Sequence, residues 1–193
     1  MSVKILGGIA RGFPLLTPKT ELTRPTSVIV RRKLFDWRQN LQGMIFIDLC
    51  AGSGSVGLEA LSRGADKVFL NDHHRASFQC LLKNQEKISA AFKFDKSSIV
   101  VSTIEARSWI QRELNYQLSE TEDVILFLDP PYEDHKLYLD ILFSLKEKNF
   151  KGEIWLEADR LKGPAKSNFI GLFHSVIKEV EQGDHFVLVG KLS

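Results

Sequence analysis

The sequence predicts an α/β fold in three layers, with a mostly parallel seven-stranded sheet between two layers of helices. Short apolar runs typical of strands alternate with amphipathic helical segments between residues 44 and 157. Strands connected through helices pair in parallel by right-handed crossovers, so this alternation indicates a parallel sheet. Residues 172–181 and 185–191 are β-rich and no helix separates them, so we expect an antiparallel hairpin at the sheet edge.

Each element of the main sheet and its helices follows from a local pattern. Apolar runs bounded by polar residues predict strands over residues 44–50, 67–71, 99–102, 124–128 and 152–157. Apolar residues at helical spacing predict helices over residues 56–63, 75–91, 106–118 and 135–148. Gly64 directly follows the first of these helices and is expected to end it.

A shorter N-terminal part precedes this regular pattern. Residues 3–20 alternate apolar runs with glycine and proline, as an irregular β-hairpin does. Ser27 could cap a helix that runs to about Leu41 and has the apolar face Val30, Leu34, Trp37 and Leu41. Residues 1–43 are therefore interpreted as an N-terminal extension, and residues 44–193 as the main domain.

Composition excludes several classes of protein. The 193 residues are 44% hydrophobic, which suits one globular domain with a real core. No apolar stretch approaches the ~18 to 20 residues that span a bilayer, and no secretory signal is evident, so we expect a cytoplasmic protein without membrane contact. Cys50 and Cys80 form neither a disulfide framework nor a zinc cluster, and we expect both to be small core residues.

Positive charge is concentrated in the extension. Residues 1–43 contain eight Lys or Arg against two Asp or Glu, whereas residues 44–193 contain 18 against 22. A basic segment of this kind favours contact with a polyanion such as nucleic acid. The alternative is an exposed arm that is basic without binding anything.

A glycine-rich loop follows the first strand of the main domain. Residues 51–57, Ala-Gly-Ser-Gly-Ser-Val-Gly, contain G-x-G-x-x-G between a strand and a helix, which favours a nucleotide-like ligand. Asp72, at the end of the second strand, could accept hydrogen bonds from both ribose hydroxyls, or be an ordinary surface acid. Glu105, just past the third strand, could accept one from an adenine amino group, or act only on a helix dipole.

Two classes of cofactor fit this loop: dinucleotides and S-adenosylmethionine (SAM). A dinucleotide places a negatively charged pyrophosphate across the loop, where Asp48 at the end of the first strand would repel it. SAM carries an ammonium and a sulfonium, which Asp48 would attract. The sign of the charge therefore favours SAM, unless Asp48 only hydrogen-bonds neighbouring backbone amides.

The fourth strand of the main domain ends in Asp129-Pro130-Pro131-Tyr132. Ligands of doubly wound sheets bind outside the carboxyl ends of the strands, so Asp129 is expected beside the glycine loop. Two prolines remove two backbone donors and leave rigid carbonyl acceptors. Asp129 and the Pro130 carbonyl could accept the two hydrogens of a nucleobase amine while it attacks the SAM methyl group, with Tyr132 stacked on the base. Such a base must be unpaired or flipped out.

Motifs along nearly the whole chain resemble those of the RsmD-type 16S rRNA guanine-N2 methyltransferases. The resemblance rests on residues 4–12 (Lys-Ile-Leu-Gly-Gly-Ile-Ala-Arg-Gly), on Thr23-Arg-Pro-Thr26 with Arg31 and Leu34-Phe35, on the segment from Asp48 to Ala65, and on residues 128–132. The last motif is shared by many amino-group methyltransferases, and the N-terminal elements are much more specific. The implied fold is a Rossmann-like class I SAM-dependent methyltransferase domain.

The resemblance also implies site residues and a partner. The catalytic residues would be Asp129, Pro130 and Tyr132, and the cofactor-binding residues would be Gly52, Gly54, Asp72 and Glu105, together with Asp48. The RNA-binding residues would be Arg11, Arg24 and Arg31, and we add Lys4 and Arg32 from the same basic segment. The implied substrate is 16S rRNA, presented within the small ribosomal subunit or its assembly intermediate to a protein that we expect to be a monomer.

The sequence departs from the family pattern at four positions, and three rival interpretations stand beside the resemblance. Val28 and Ile29 stand where the family usually has a polar or acidic residue and an arginine, and Arg32 and His74 replace acids. These changes bear on the RNA contacts. The rivals are an N6-adenine methyltransferase acting on DNA or RNA, a dinucleotide oxidoreductase, and a non-catalytic nucleotide-binding module that docks on RNA.

Overall fold

The computed structural model, which describes residues 3–18 and 27–192, confirms the three-layer α/β fold. The first two strands form a short antiparallel N-terminal hairpin, β1 (Val3–Lys4) with β2 (Pro14–Leu15). The central sheet of the described residues contains β3 (Ile45–Asp48), β4 (Lys67–Asn71), β5 (Ile99–Ser102), β6 (Val124–Leu128), β7 (Glu153–Asp159), β8 (Phe173–Gln182) and β9 (His185–Leu192).

The order of the central sheet is β5-β4-β3-β6-β7-β9-β8. The first five of these strands are parallel, and β9 pairs antiparallel with both β7 and β8. The hairpin of β8 and β9 therefore lies at the sheet edge, which confirms the prediction. The chain moves outward in one direction from β3 to β5 and in the other from β6 to β7, so the order reverses beside β3.

Helices cover both faces of the sheet. Their bounds are α1 (Val28–Trp37), α2 (Gly57–Ser62), α3 (Arg75–Phe92), α4 (Ala106–Arg112), α5 (Tyr116–Ser119), α6 (His135–Glu147) and α7 (Lys166–Ile170), with a 3-10 turn at Lys96–Ser98. Apolar residues of α1, α2 and α3 pack on one face, and those of α4, α6 and α7 pack on the other. None of these described helices is long and apolar enough to cross a membrane.

Several helix bounds differ from the prediction. The first helix ends at Trp37 instead of Leu41, and the Ser27 side chain makes no capping hydrogen bond. The predicted helix over residues 106–118 is broken, because the Asn115 side chain accepts a hydrogen bond from the Leu118 amide at 3.1 Å and so begins a new helix. The short helix α7 was not predicted.

The N-terminal segment shares its core with the sheet. The Phe35 ring lies 5.7 Å from the Trp155 ring and 6.4 Å from the Phe46 ring, and Trp37 lies 6.1 Å from Trp155, between ring centroids. Phe35 and Trp155 are both fully buried. Residues on both sides of the predicted division between residues 43 and 44 therefore pack into one core.

Candidate functional site

A cleft of about 610 Å³ opens at the carboxyl ends of the central strands. It is lined by Asp48 at the end of β3, Asp72 after β4, Glu105 after β5 and Asp129 after β6. The four carboxylates predicted to form one site thus meet in one cleft. They meet where the strand order reverses, which is the position at which doubly wound sheets bind ligands.

The glycine loop, residues 51–57, forms one wall of the cleft. Gly52 lines the cleft with a φ of 54°, and its amide donates to Asp72 Oδ2 at 2.9 Å. Gly54 has a φ of 78° and lies against α3, where an added Cβ would be 2.8 Å from Leu81 Cδ2. Gly54 therefore lets helix and loop approach each other. It is not among the residues that line the cleft, although the sequence predicted a cofactor contact there.

Asp48 is both a cleft residue and a partner of the loop backbone. Its side chain is 1% exposed, and Oδ2 accepts a hydrogen bond from the Gly57 amide at 3.0 Å. Burial raises the pKa of Asp48 to about 8; the Gly57 hydrogen bond opposes the rise, and the charges of Asp129 and Asp72 add to it. The two interpretations of Asp48 are therefore compatible.

Asp72 links the glycine loop to the start of α3. One carboxylate oxygen accepts from Gly52, and the other accepts from the His74 amide at 2.9 Å and lies 3.3 Å from His74 Nδ1. Asp72 is 5% exposed, which restricts how a ligand could approach it. A carboxylate has about four acceptor positions, so ribose contact at this residue stays a prediction.

Glu105 caps helix α4. Its two carboxylate oxygens accept from the Arg107 amide at 3.0 Å and the Ser108 amide at 2.9 Å. Partial burial acts to raise the pKa of Glu105, but these backbone hydrogen bonds outweigh it, so the pKa is lowered. Glu105 therefore does act at the start of a helix, which was one of its two predicted roles. Its contact with adenine stays a prediction.

Asn71 supports the cleft and is not among the predicted site residues. This buried side chain donates to the carbonyl oxygens of Leu49 at 3.1 Å and Ile104 at 2.8 Å. Its oxygen accepts from Ser102 Oγ at 2.8 Å and the Ile104 amide at 3.1 Å. Asn71 therefore fixes the ends of β3 and β5 on either side of β4. A polar residue that ends an apolar strand was its one signal.

Asp129 and Pro130 lie in the cleft at the end of β6. Asp129 is half-buried, and Pro130 is buried with its carbonyl oxygen 3.2 Å from the Tyr138 hydroxyl. The same hydroxyl lies 3.0 Å from the Glu157 carbonyl oxygen and can donate its single hydrogen to only one of them at a time. The Pro130 carbonyl therefore keeps acceptor capacity beyond Tyr138.

Tyr132 lines the cleft and is held at its hydroxyl end. The hydroxyl lies 3.3 Å from Glu157 Oε1 and 3.2 Å from His185 Nδ1. Burial raises the pKa of Tyr132, and the negative charges of Asp129 and Glu157 raise it further, so the phenol is neutral. Glu157 and His185 come from β7 and β9, and no sequence pattern predicts that they contact Tyr132.

The predicted RNA-binding residues separate into three groups. Lys4, Arg11 and Arg32 are exposed, whereas Arg24 lies outside the described residues. Arg31 is 1% exposed, with Nη1 donating to the Ser55 carbonyl at 3.0 Å and Nη2 to the Lys4 carbonyl at 2.8 Å. The prediction that Arg31 contacts RNA is therefore wrong, because its guanidinium is enclosed by the protein backbone.

The charge of the cleft distinguishes between ligands. Six acidic side chains line it, those of Asp48, Asp72, Glu105, Asp129, Glu133 and Asp134, and the raised pKa of Asp48 leaves that group largely protonated at neutral pH. Lys162 is the one Lys or Arg among the described lining residues. An acidic cleft attracts the ammonium and sulfonium of SAM and repels the pyrophosphate of a dinucleotide.

Comparison with known proteins assigns the chain to a family. The family model described as "Conserved hypothetical protein 95" matches residues 3–180. "Ribosomal RNA small subunit methyltransferase D" of Escherichia coli is 37% identical over 134 residues, covering 67% of this chain and 60% of that protein. The Haemophilus influenzae protein of the same name is 30% identical over 131 residues, covering 67% and 64%. This chain belongs to the RsmD-type family of rRNA methyltransferases.

Solved structures agree with this membership. The Escherichia coli structure named "Putative methyltransferase yhhF" covers 100% of this chain and 99% of its own, with a TM-score of 0.76 and 26% identity. The matched segment spans less than two thirds of the length of the two RsmD relatives. The RsmD-type family and its Rossmann-like fold imply SAM as the methyl donor, and the acidic cleft beside the glycine loop fits that cofactor.

Proposed function

We propose that this protein transfers a methyl group from SAM to the exocyclic N2 amine of a guanine in 16S rRNA. The observation that carries the proposal is that Asp129 and Pro130 leave β6 in the same cleft as the glycine loop. The names of the relatives, which refer to the small-subunit rRNA, support the choice of substrate. The resemblance of the N-terminal motifs supports guanine N2 as the acceptor.

The side chains at the end of β6 suit methylation of an amine. When bound, SAM supplies an electrophilic methyl group on a positively charged sulfur. A guanine amine has two N–H donors, and its nitrogen lone pair is delocalised into the ring. Asp129 accepts one hydrogen and the Pro130 carbonyl the other, which favours a pyramidal, more nucleophilic nitrogen. After attack, the surplus proton leaves the nitrogen for Asp129 or for water.

Tyr132 completes the binding site for the base. A base paired inside a helix cannot reach Asp129, so the guanine must be unpaired or flipped out. The ring of Tyr132 offers a surface on which it stacks. Because Glu157 and His185 lie within 3.3 Å of the hydroxyl, the ring has a restricted orientation before the base arrives.

The exposed cations of the N-terminal extension form the proposed RNA-binding surface. Lys4, Arg11 and Arg32 would contact phosphates, and Arg24 is assigned to the same role from the family motif alone. The proposed partner is the small ribosomal subunit or its assembly intermediate. We further propose that the protein acts as a monomer in the cytoplasm, where ribosomes are assembled.

Mapping of modified nucleosides tests the proposal. Mass spectrometry of 16S rRNA from cells that lack the protein should show the loss of one N2-methylguanine, which returns with the native gene and not with Asp129→Ala. Loss of an N6-methyladenine would instead show that the methylated base is adenine. Unchanged rRNA methylation would overturn the assignment to rRNA. Assays with naked 16S rRNA and with purified small subunits, in parallel, identify the form of the substrate.

A further inference from the structure

Arg31 connects the glycine loop to the N-terminal hairpin, residues 3–18. From α1, its guanidinium donates to the Ser55 carbonyl in the loop at 3.0 Å and to the Lys4 carbonyl in the hairpin at 2.8 Å. Arg31 is 1% exposed, although arginine is among the residues least often buried. Its two terminal nitrogens therefore join two segments that the sequence separates widely.

Asn84 repeats this arrangement from helix α3. Its Nδ2 donates to the Ser53 carbonyl in the loop at 2.9 Å and to the Leu16 carbonyl in the hairpin at 3.0 Å. Its Oδ1 accepts from the Leu16 amide at 2.9 Å, and the residue is fully buried. Two independent side chains thus each contact one carbonyl of the loop and the backbone of the hairpin.

The burial of Arg31 makes these contacts mutually dependent. Burial lowers the pKa of Arg31, and the buried carboxylate of Glu59 opposes that shift. Among the described residues, Arg31 Nε has no hydrogen-bond partner. The hydrogen bonds of the other two nitrogens must therefore offset the cost of burying the charged group. A buried guanidinium that loses a partner is strongly destabilising. Arg31 can therefore stay buried only while both the hairpin and the loop keep their positions.

The hairpin also reaches the cleft itself. Thr17 and Pro18, which follow Leu16, line the cleft together with Gly52, Ser53 and Ser55. The loop thus has the ligand site on one side, and Arg31 and Asn84 on the other. A change in hairpin position would act on the cofactor site both through these two side chains and through the cleft wall.

We propose that Arg31 and Asn84 are positioning residues that hold the glycine loop in shape for SAM as long as the hairpin is docked. The proposal rests on the use of SAM by this family and not on the identity of the RNA base. Since the coupling is reciprocal, a ligand on the loop stabilises the docked hairpin to the same extent that docking favours the ligand. RNA bound to the hairpin would then change the affinity for SAM.

Binding of S-adenosylhomocysteine, without RNA, tests the proposal. Isothermal titration should give a Kd raised about tenfold in Arg31→Met and in Asn84→Leu, because each variant loses a buried hydrogen bond to the loop. Arg31→Lys, which keeps the charge and part of the hydrogen bonding, should lie between Arg31→Met and the native protein. Native affinity in both Arg31→Met and Asn84→Leu would overturn the proposal.

Hydrogen exchange in the native protein supplies a second measurement, which does not require any variant to fold. In the native protein, the ligand should slow exchange of the hairpin amides of Ile5, Gly12 and Phe13, which are hydrogen-bonded within the hairpin. This protection should be lost in Arg31→Met. If the ligand leaves hairpin exchange in the native protein unchanged, loop and hairpin are not coupled and the proposal fails.

Ser62→Ala is the matched control. Ser62 Oγ accepts from the Ala10 amide at 2.9 Å and donates to the Gly7 carbonyl at 2.6 Å, so it holds the hairpin without contacting the loop. This variant should speed hairpin exchange and keep the Kd within about twofold. Weakening equal to that of Arg31→Met would show that docking alone matters, against a role for the two side chains. A protein that binds the ligand but methylates no guanine would refute only the proposed function.

Discussion

The two ends of the chain support opposite halves of the cleft, and they do so by different chemistry. At the proposed cofactor half, which contains the glycine loop, Arg31 beside the N-terminal hairpin holds the loop backbone. At the proposed catalytic half, which contains Asp129 and Tyr132, Glu157 and His185 of the C-terminal strands hold one side-chain hydroxyl, that of Tyr132. The first support fixes the shape of a loop and should govern cofactor affinity. The second fixes one ring and should govern how the base is presented.

The largest effect is expected at the catalytic half, for Asp129→Ala. Removing the acceptor of the amine should lower kcat by about a hundredfold or more, because acid–base and electrostatic contributions of this type have that size. The affinity for S-adenosylhomocysteine should change by no more than a few fold. Methyl transfer to small subunits and calorimetry measure the two quantities. Near-full turnover in Asp129→Ala would show that Asp129 takes no part in methyl transfer. Asp129→Asn is the control, because it keeps one acceptor oxygen.

Substitutions of Tyr132 separate stacking from the hydroxyl contacts. Tyr132→Ala should lower kcat/KM for the RNA substrate by about ten- to a hundredfold, as loss of one base–aromatic stack does. Tyr132→Phe keeps the ring, loses the contacts with Glu157 and His185, and should cost only a few fold. Steady-state kinetics at saturating SAM measures both. Equal losses in the two variants would mean that the hydroxyl contacts, and not the ring surface, determine the role of Tyr132.

The cofactor half should respond to pH through Asp48. Its pKa is raised to about 8. The free energy of unfolding therefore falls as the pH rises from the ordinary carboxyl range toward that value, because the buried group must ionise. A cationic ligand favours the ionised form and releases a proton on binding. The affinity for SAM should therefore rise with pH by at most about tenfold per unit, and level off above about 8.

Titration in buffers of different ionisation enthalpy measures this proton release. S-adenosylhomocysteine lacks the sulfonium charge and should show a weaker dependence on pH than SAM. Asp48→Asn should remove most of the dependence, since it removes the titrating group. The same pH profile in Asp48→Asn and the native protein would assign the dependence to another group.

The smallest effect is expected at the exposed face of the N-terminal hairpin. Arg11→Ala should weaken RNA binding a few fold and reduce the slope of log K against log salt by about one, since one phosphate contact is lost. Arg112→Ala, an exposed position on α4 at the opposite face of the sheet, is the control. An unchanged slope for Arg11→Ala would exclude Arg11 from the RNA contact.

The strands and motifs of this protein could be predicted because their signals are local. Apolar runs predicted β4, β5 and β6 at their observed bounds. Asp48, Asp72, Glu105 and Asp129 each lie at or just after the end of a strand, and this position predicted the cleft that they share. The hydrogen bonds that hold the glycine loop and Tyr132 join residues that are distant in sequence, so no local pattern predicts them. Arginine in a basic segment suggests RNA contact, and only the packing of α1 against loop and hairpin shows that Arg31 is enclosed.

A few of the missed residues did leave a signal. Asn84 occupies the apolar stripe of α3 between Leu81 and Ile88, where a polar side chain needs a buried partner. Glu157 belongs to a strand whose residues are all buried, and a carboxylate there also calls for a specific contact. These signals indicate that a partner exists. They do not identify it, because the partner is set by how the elements pack.

The packing of Phe35 on Trp155 also bears on the order of events during synthesis. The ribosome makes residue 35 long before residue 155, so α1 emerges without the Trp155 side of the surface on which it finally packs. Contacts between positions so far apart in the chain form slowly, and exposed aromatic rings attract other molecules meanwhile. We expect nascent chains that end before β7 to aggregate or to recruit chaperones, and chains that include β7 and β9 to become compact.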